Sequence, residues 1–320
     1  MPTLDMPLES LKKYMGTNPR PDDFEEFWDN SLKELDAIPF DAEFTPYDLP
    51  SNIIDFYELR FTSTKGARIY AKFAKPKSIS GKAPAVLMFH GLSGRSCDWS
   101  DLVKYAAEGF VMAALDTRGQ GGYSEDVGGV PGTTYTTPLV RGIDGKPEDL
   151  YCRDIFLDTA QLARLVMSLE YVDETRVAVF GGSQGGALSL SCAALVPEIK
   201  LCCPIYPYLC DYKRVWEMDL DQNAYEGLRY YLRYFDPRHE RVDEFFTKLG
   251  YVDLQFLAPR IKAKVFMGTG LLDNICPPST QFAAYNKITS EKEVLIYPDF
   301  KHENLFGHHD LIYKFILTNI

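Results

Sequence analysis

The sequence predicts an α/β fold in which a mostly parallel sheet is covered by helices on both faces, and three observations carry that prediction. Short apolar runs recur at residues 85–89, 111–115, 177–180, 201–205, 264–267 and 294–297. Their apolarity is nearly continuous, which is what strands buried on both faces require. The intervening segments are long enough to hold crossover helices, the clearest being residues 153–170. Finally, Gly181-Gly182-Ser183-Gln184-Gly185-Gly186 joins the run ending at Phe180 to the helix-like stretch Ala187-Leu188-Ser189-Leu190-Ser191. That is a strand, a tight turn and a helix in succession.

Composition agrees with one large domain over residues 1–320, because 46% hydrophobic and 25% charged residues suffice for a full core without a disordered tail. A net charge of −11 argues against nucleic acid or an anionic membrane as partner, since both need clustered Lys and Arg. No stretch approaches the roughly 18 apolar residues of a spanning helix, and Met1-Pro2-Thr3-Leu4-Asp5-Met6-Pro7 lacks the basic and apolar regions of an export signal. A cytoplasmic protein is expected. The seven cysteines are odd in number and show no C-x-x-C spacing, so neither a metal site nor a disulfide framework is expected.

Taken in chain order, residues 1–50 combine an amphipathic helix near 22–32 with proline-rich loops, and read as a wrapping arm. Residues 54–61 and 68–74 read as an antiparallel hairpin at a sheet edge, joined through Ser63-Thr64-Lys65-Gly66-Ala67. The six apolar runs follow. In the helix at 153–170, Ile155, Leu162, Leu165, Val166 and Leu169 make an apolar stripe opposite Asp154, Asp158, Gln161 and Arg164. Residues 211–250 differ in character: Tyr225, Tyr230, Tyr231 and Tyr234 interleave with Arg214, Arg229, Arg233 and Arg238, as at a protein interface or in a lid.

The chemistry starts at Ser183. Glycines on both sides of a serine between strand and helix make a nucleophile elbow, whose strained backbone exposes the hydroxyl. Such a serine needs a histidine base, and the histidine needs an acid to orient it. In the α/β-hydrolase fold the chain order is serine, acid, histidine. His302 lies just past the last apolar run and is the expected base. Of the other four histidines, His90 shapes a loop, His239 belongs to the 211–250 segment, and His308 and His309 open a terminal helix. Asp273 follows the 264–267 run and is the expected acid, although Asp253 and Asp299 lie in comparable loops. Backbone amides of Gln184, directly after the serine, and of Leu92, in His90-Gly91-Leu92, are the expected oxyanion donors.

These residues resemble the acetyl xylan esterases and cephalosporin C deacetylases of carbohydrate esterase family seven. Arg118-Gly119-Gln120 matches the family's R-G-Q, Gly181-Gly182-Ser183-Gln184-Gly185 its G-x-S-Q-G, and His302-Glu303 its H-E. Residues 273–280 resemble the segment around the family's acid, and the likeness runs from about residue 6 to beyond the last strand. It implies the triad Ser183, Asp273 and His302 and the oxyanion pair Leu92 and Gln184, without a metal or other cofactor. Arg118, Gly119, Gln120 and Glu303 are expected to support loops and stay out of the reaction. By this resemblance the chain is a serine esterase acting on acetylated xylo-oligosaccharides and other small acetyl esters, cephalosporin C among them, and works as a hexamer whose sites face an enclosed space. Leu92 stands where the family commonly has tyrosine. The competing readings are a broad carboxylesterase or peptidase of the same fold, and a catalytically silent hydrolase-fold interaction protein.

Overall fold

Each of the six apolar runs forms a strand of one sheet in the computed structural model, which describes residues 4–129 and 137–320. The strands are β1 (Glu43–Pro46), β2 (Ile54–Thr62), β3 (Arg68–Pro76), β4 (Ala83–Phe89), β5 (Val111–Leu115), β6 (Val172–Gly182), β7 (Leu201–Ile205), β8 (Lys264–Gly270) and β9 (Lys292–Tyr297). Their order across the sheet is β1-β2-β3-β5-β4-β6-β7-β8-β9. Pairing is antiparallel from β1 to β5 through β2 and β3, and parallel from β5 to β9.

Two hydrophobic cores explain why the runs are apolar without interruption. Ala85, Leu87, Val111, Ala113, Val177 and Val179 join one core, while Val86, Met112, Ala114, Ala178 and Phe180 join the other. Successive side chains of a strand point to opposite faces, so a strand covered twice has no polar position to spare. The first core is closed by helices α4 (Tyr151–Met167) and α5 (Gln184–Leu195) and by α2 (Phe24–Asp36) of the N-terminal arm, the second by α3 (Trp99–Ala106) and α11 (His308–Asn319).

The arm does more than wrap. Its strand β1 pairs with β2, so the predicted hairpin of β2 and β3 lies one strand in from the sheet edge. Helix α2 buries Phe24 and Trp28, the indole N–H donates to the Tyr251 carbonyl at 2.8 Å, and Ser31 Oγ accepts from Arg153 Nε at 2.9 Å. Upstream of it, α1 (Leu8–Leu11) packs on α10 (Pro278–Lys287).

The structure corrects the expected polar face of α4. Asp154, Asp158 and Gln161 are all buried. Asp158 takes two N–H groups from Arg118, at 2.7 and 2.5 Å; Asp154 takes Thr64 Oγ1 at 2.9 Å and Lys65 Nζ at 2.7 Å; Gln161 donates to the carbonyls of Ile38 and Thr62. Helical periodicity separates polar from apolar positions but carries no sign of a distant buried partner.

Between β7 and β8 the chain forms α6 (Tyr212–Glu217), α7 (Glu226–Phe235), α8 (Val242–Gly250) and α9 (Leu254–Leu257). Tyr212, Tyr225 and Tyr231 are buried there, whereas Arg233, Tyr234, Phe235 and Arg238 are exposed. Among the described residues, no helix is long and apolar enough to cross a membrane.

Candidate active site

Ser183 sits between β6 and α5 with φ 57° and ψ −119°, a conformation that non-glycine residues rarely adopt. Three backbone hydrogen bonds hold it: its N–H donates to Ile205 O at 2.9 Å, and its carbonyl accepts from Ala187 N at 3.0 Å and Tyr208 N at 3.1 Å. The flanking glycines are required by packing. A Cβ on Gly181 or Gly185 would stand 2.5 or 2.1 Å from Phe89 O, inside backbone contact distance.

Parallel strands bring the other two residues to the same end of the sheet. Asp273 lies in the loop after β8, and His302 in the loop after β9. His302 Nε2 is 2.9 Å from Ser183 Oγ, and its Nδ1 is 2.8 Å from Asp273 Oδ2. Asp273 is fully buried; Oδ1 accepts from the amides of Ile275 at 2.9 Å and Cys276 at 2.8 Å, and Oδ2 also accepts from Gln281 Nε2 at 3.3 Å. A carboxylate so fixed assigns the imidazole proton to Nδ1, leaving Nε2 to accept from the serine hydroxyl. The rival acids are elsewhere: Asp253 is the N-cap of α9 and accepts from Gln255 N, and Asp299 is exposed.

Gln184 is the first residue of α5, so its amide has no intrahelical acceptor and lies at the positive end of the helix. Leu92 follows β4, and its amide makes no hydrogen bond among the described residues. One side chain ties these two places together. Gln120 Oε1 accepts from Ser93 N at 2.8 Å and from Gln184 Nε2 at 3.0 Å, while its Nε2 donates to Gln184 Oε1 at 2.8 Å and to the Tyr151 hydroxyl at 3.0 Å. Tyr151 in turn donates to the Arg118 carbonyl at 2.6 Å.

The remaining motif residues hold loops. Burial disfavours the charge of Arg118, but Asp158 and Asp154 more than offset this and hold the guanidinium charged, away from the reacting groups. Gly119 has φ 66°, and a Cβ there would meet Asp126 at 2.5 Å. Glu303 is exposed and accepts from Lys301 N at 3.0 Å within its own loop. His90 is kept neutral by burial; Nδ1 lies 2.7 Å from Gly91 O, and Nε2 accepts from Thr117 N at 2.9 Å, so it shapes the loop after β4. His308 is buried, its titration pushed down to about 4 by desolvation, and it meets the Tyr297 hydroxyl at 3.1 Å. His239 packs on Trp216. Tyr151, Gln281 and Tyr206, which lies against His302, were not distinguished by the sequence because no local motif marks them. Among the described residues, no group of three or more His, Cys, Asp or Glu side chains is placed to hold a metal ion.

The family profile of acetyl xylan esterase (AXE1) matches residues 1–319. The chain belongs to the acetyl xylan esterase family. Members of this family are carboxylic ester hydrolases, and the fold is that of the α/β-hydrolases. Acetyl xylan esterase 1 from Thermoanaerobacterium sp. JW/SL YS485 superposes with a TM-score of 0.97 at 51% identity, covering 98% of this chain and 99% of that one. The acetyl xylan esterase from Paenibacillus sp. R4 gives a TM-score of 0.94 at 34% identity, over 98% and 100% of the two chains. Acetyl esterase Axe7A of Xylanibacter ruminicola is 30% identical over 300 residues, which are 92% of this chain but only 65% of Axe7A, so the chain spans about two thirds of that relative's length.

Proposed function

We propose that the chain deacetylates acetylated xylo-oligosaccharides and other small acetyl esters, with Ser183 as nucleophile, His302 as base and Asp273 as its orienter. The observation that carries this is the unbroken hydrogen-bonded line from Ser183 Oγ through His302 to the buried Asp273. As Ser183 Oγ attacks the acetyl carbonyl, its proton passes to His302 Nε2, and the imidazolium is stabilised by the Asp273 carboxylate. The amides of Leu92 and Gln184 receive the oxyanion. The proton then goes to the departing sugar oxygen; water deprotonated by the same imidazole attacks the acetyl-enzyme, and acetate leaves as Ser183 is reprotonated.

Selectivity for acetyl over longer acyl groups belongs to the same reading and is supported by membership of the acetyl xylan esterase family. Cephalosporin C fits the same chemistry as a small acetyl ester, and the cytoplasmic location expected from the sequence belongs to this reading, with cell fractionation as its check. Acetate release across acetylated xylo-oligosaccharides, cephalosporin C and esters of increasing acyl length tests the substrate assignment. A preference for octanoyl over acetyl esters would overturn it.

A further inference from the structure

Tyr206 is the first residue after β7, and its φ of 34° is unusual for an aromatic side chain. Strain of this kind persists where the surroundings over-determine it, and it gathers at functional sites. Its N–H donates to Gly268 O at 2.8 Å, which fixes the backbone against β8. Its ring lies against His302, with centroids 4.7 Å apart and planes inclined at 57°. On its other side the ring reaches the elbow: a Cβ on Gly182 would stand 3.3 Å from Cε2 and 3.4 Å from the phenolic oxygen. The ring therefore fills the gap between the residue preceding Ser183 and the imidazole, and its hydroxyl makes no hydrogen bond among the described residues.

We propose that Tyr206 is a positioning residue for His302: its π system favours the imidazolium that forms when Ser183 loses its proton, and its bulk keeps the imidazole on the line between Ser183 and Asp273. An aromatic ring within about 6 Å of a cation attracts it, and the attraction grows as water is excluded. The other titratable groups facing the imidazole are Asp273 from the β8 loop and Ser183 from the elbow, with the Cys276 thiol beside both and Glu303 exposed on the histidine's own loop. Burial raises the Cys276 thiol well above its usual range, and burial followed by the Asp273 charge pushes the Tyr206 phenol up to about 12, so both stay neutral around pH 7. The Asp273 carboxylate and the Tyr206 ring are thus the two groups that act on the imidazolium through different kinds of contact, one through a hydrogen bond and one through the π system of a ring.

The assignment rests on the hydrolytic reading above, and one set of measurements separates the two. Hydrolysis of 4-nitrophenyl acetate is followed against pH for the unaltered chain, Ser183→Ala, Tyr206→Phe, Tyr206→Leu and Tyr206→Gly. Glycine suits the positive φ and keeps a folded test if leucine does not fold. Tyr206→Phe should match the unaltered chain within about twofold. Tyr206→Leu and Tyr206→Gly should lower kcat about tenfold with little change in KM, and should move the acid limb of kcat/KM to lower pH by about half a unit, the size expected of an aromatic–cation contact. A folded Tyr206→Leu or Tyr206→Gly protein with an unmoved acid limb, or a Tyr206→Phe protein as impaired as either, would overturn the role of the ring. Activity in the unaltered chain that Ser183→Ala does not reduce would overturn the hydrolytic reading instead.

Discussion

Ser183, His302 and Asp273 differ in how visibly each was written into the chain. The serine announces itself because local sterics demand glycine around it: Gly181 and Gly185 both abut the Phe89 carbonyl. His302 was legible from order, lying past the last apolar run. Asp273 was set apart from Asp253 and Asp299 by the family-like segment at 273–280 and not by local physics, since a carboxylate's role depends on which amides meet it, here those of Ile275 and Cys276. We expect Ser183→Ala and His302→Ala each to lower acetyl-ester turnover by about three orders of magnitude or more without unfolding the protein, and Asp273→Asn to be nearly as damaging. Steady-state kinetics with circular dichroism on the same samples checks this; undiminished acetate release by folded Ser183→Ala protein would reject the nucleophile.

At the scale of elements, the proposed oxyanion donors belong to two separate pieces, the turn after β4 and the start of α5, and Gln120 bonds to both. Gln120→Ala should therefore lower kcat by about 10- to 100-fold with a smaller change in KM, because misplaced amides weaken transition-state contacts more than ground-state binding. Equal loss in 1/KM and none in kcat would contradict that. The R-G-Q motif was readable as a signature, but its division of labour was not: Arg118 braces α4 while Gln120 ties the turn after β4 to the start of α5. A second prediction concerns α9. Asp253 is fully buried, and desolvation followed by the Asp211 charge raises its carboxyl from 3.8 to about 7. The folded state thus favours the protonated form, so this stabilisation is complete below about pH 4 and is lost as pH rises through about 7. Tm should fall between about pH 4 and about pH 7, and Asp253→Asn should flatten that part of the curve in a thermal-melt series.

Over the whole molecule, the insertion between β7 and β8 divides its aromatic and arginine residues in two. Tyr212, Tyr225 and Tyr231 are core, while Arg233, Tyr234 and Phe235 remain outward, with Tyr234 62% exposed. The outward set supports an oligomer, and the hexamer expected from the family resemblance remains our proposal for the assembly, with Tyr, Phe and Arg as suitable contact residues. Light scattering coupled to size exclusion should report a mass near six chains, and polymeric xylan should be deacetylated more slowly than short acetylated oligosaccharides. A monomer that treats both substrates alike would refute the assembly and its gating.

What the sequence determined by itself is what short-range physics enforces: apolar runs that must be buried twice, glycines that a turn cannot do without, and the order of serine, acid and histidine along strand ends. The tertiary structure decided everything that depends on residues far apart in the chain. Asp154, Asp158 and Gln161 read as a solvated face until Arg118, Thr64, Lys65 and two carbonyls arrived to partner them. The arm's β1 became the sheet edge because β2 offered it an unpaired ladder. Ser183 and His302 are 119 residues apart yet share a hydrogen bond, because β6, β8 and β9 run parallel and deliver their loops to one end. A buried polar group is stable only when its partner is present, and the identity of that partner is a property of the folded chain.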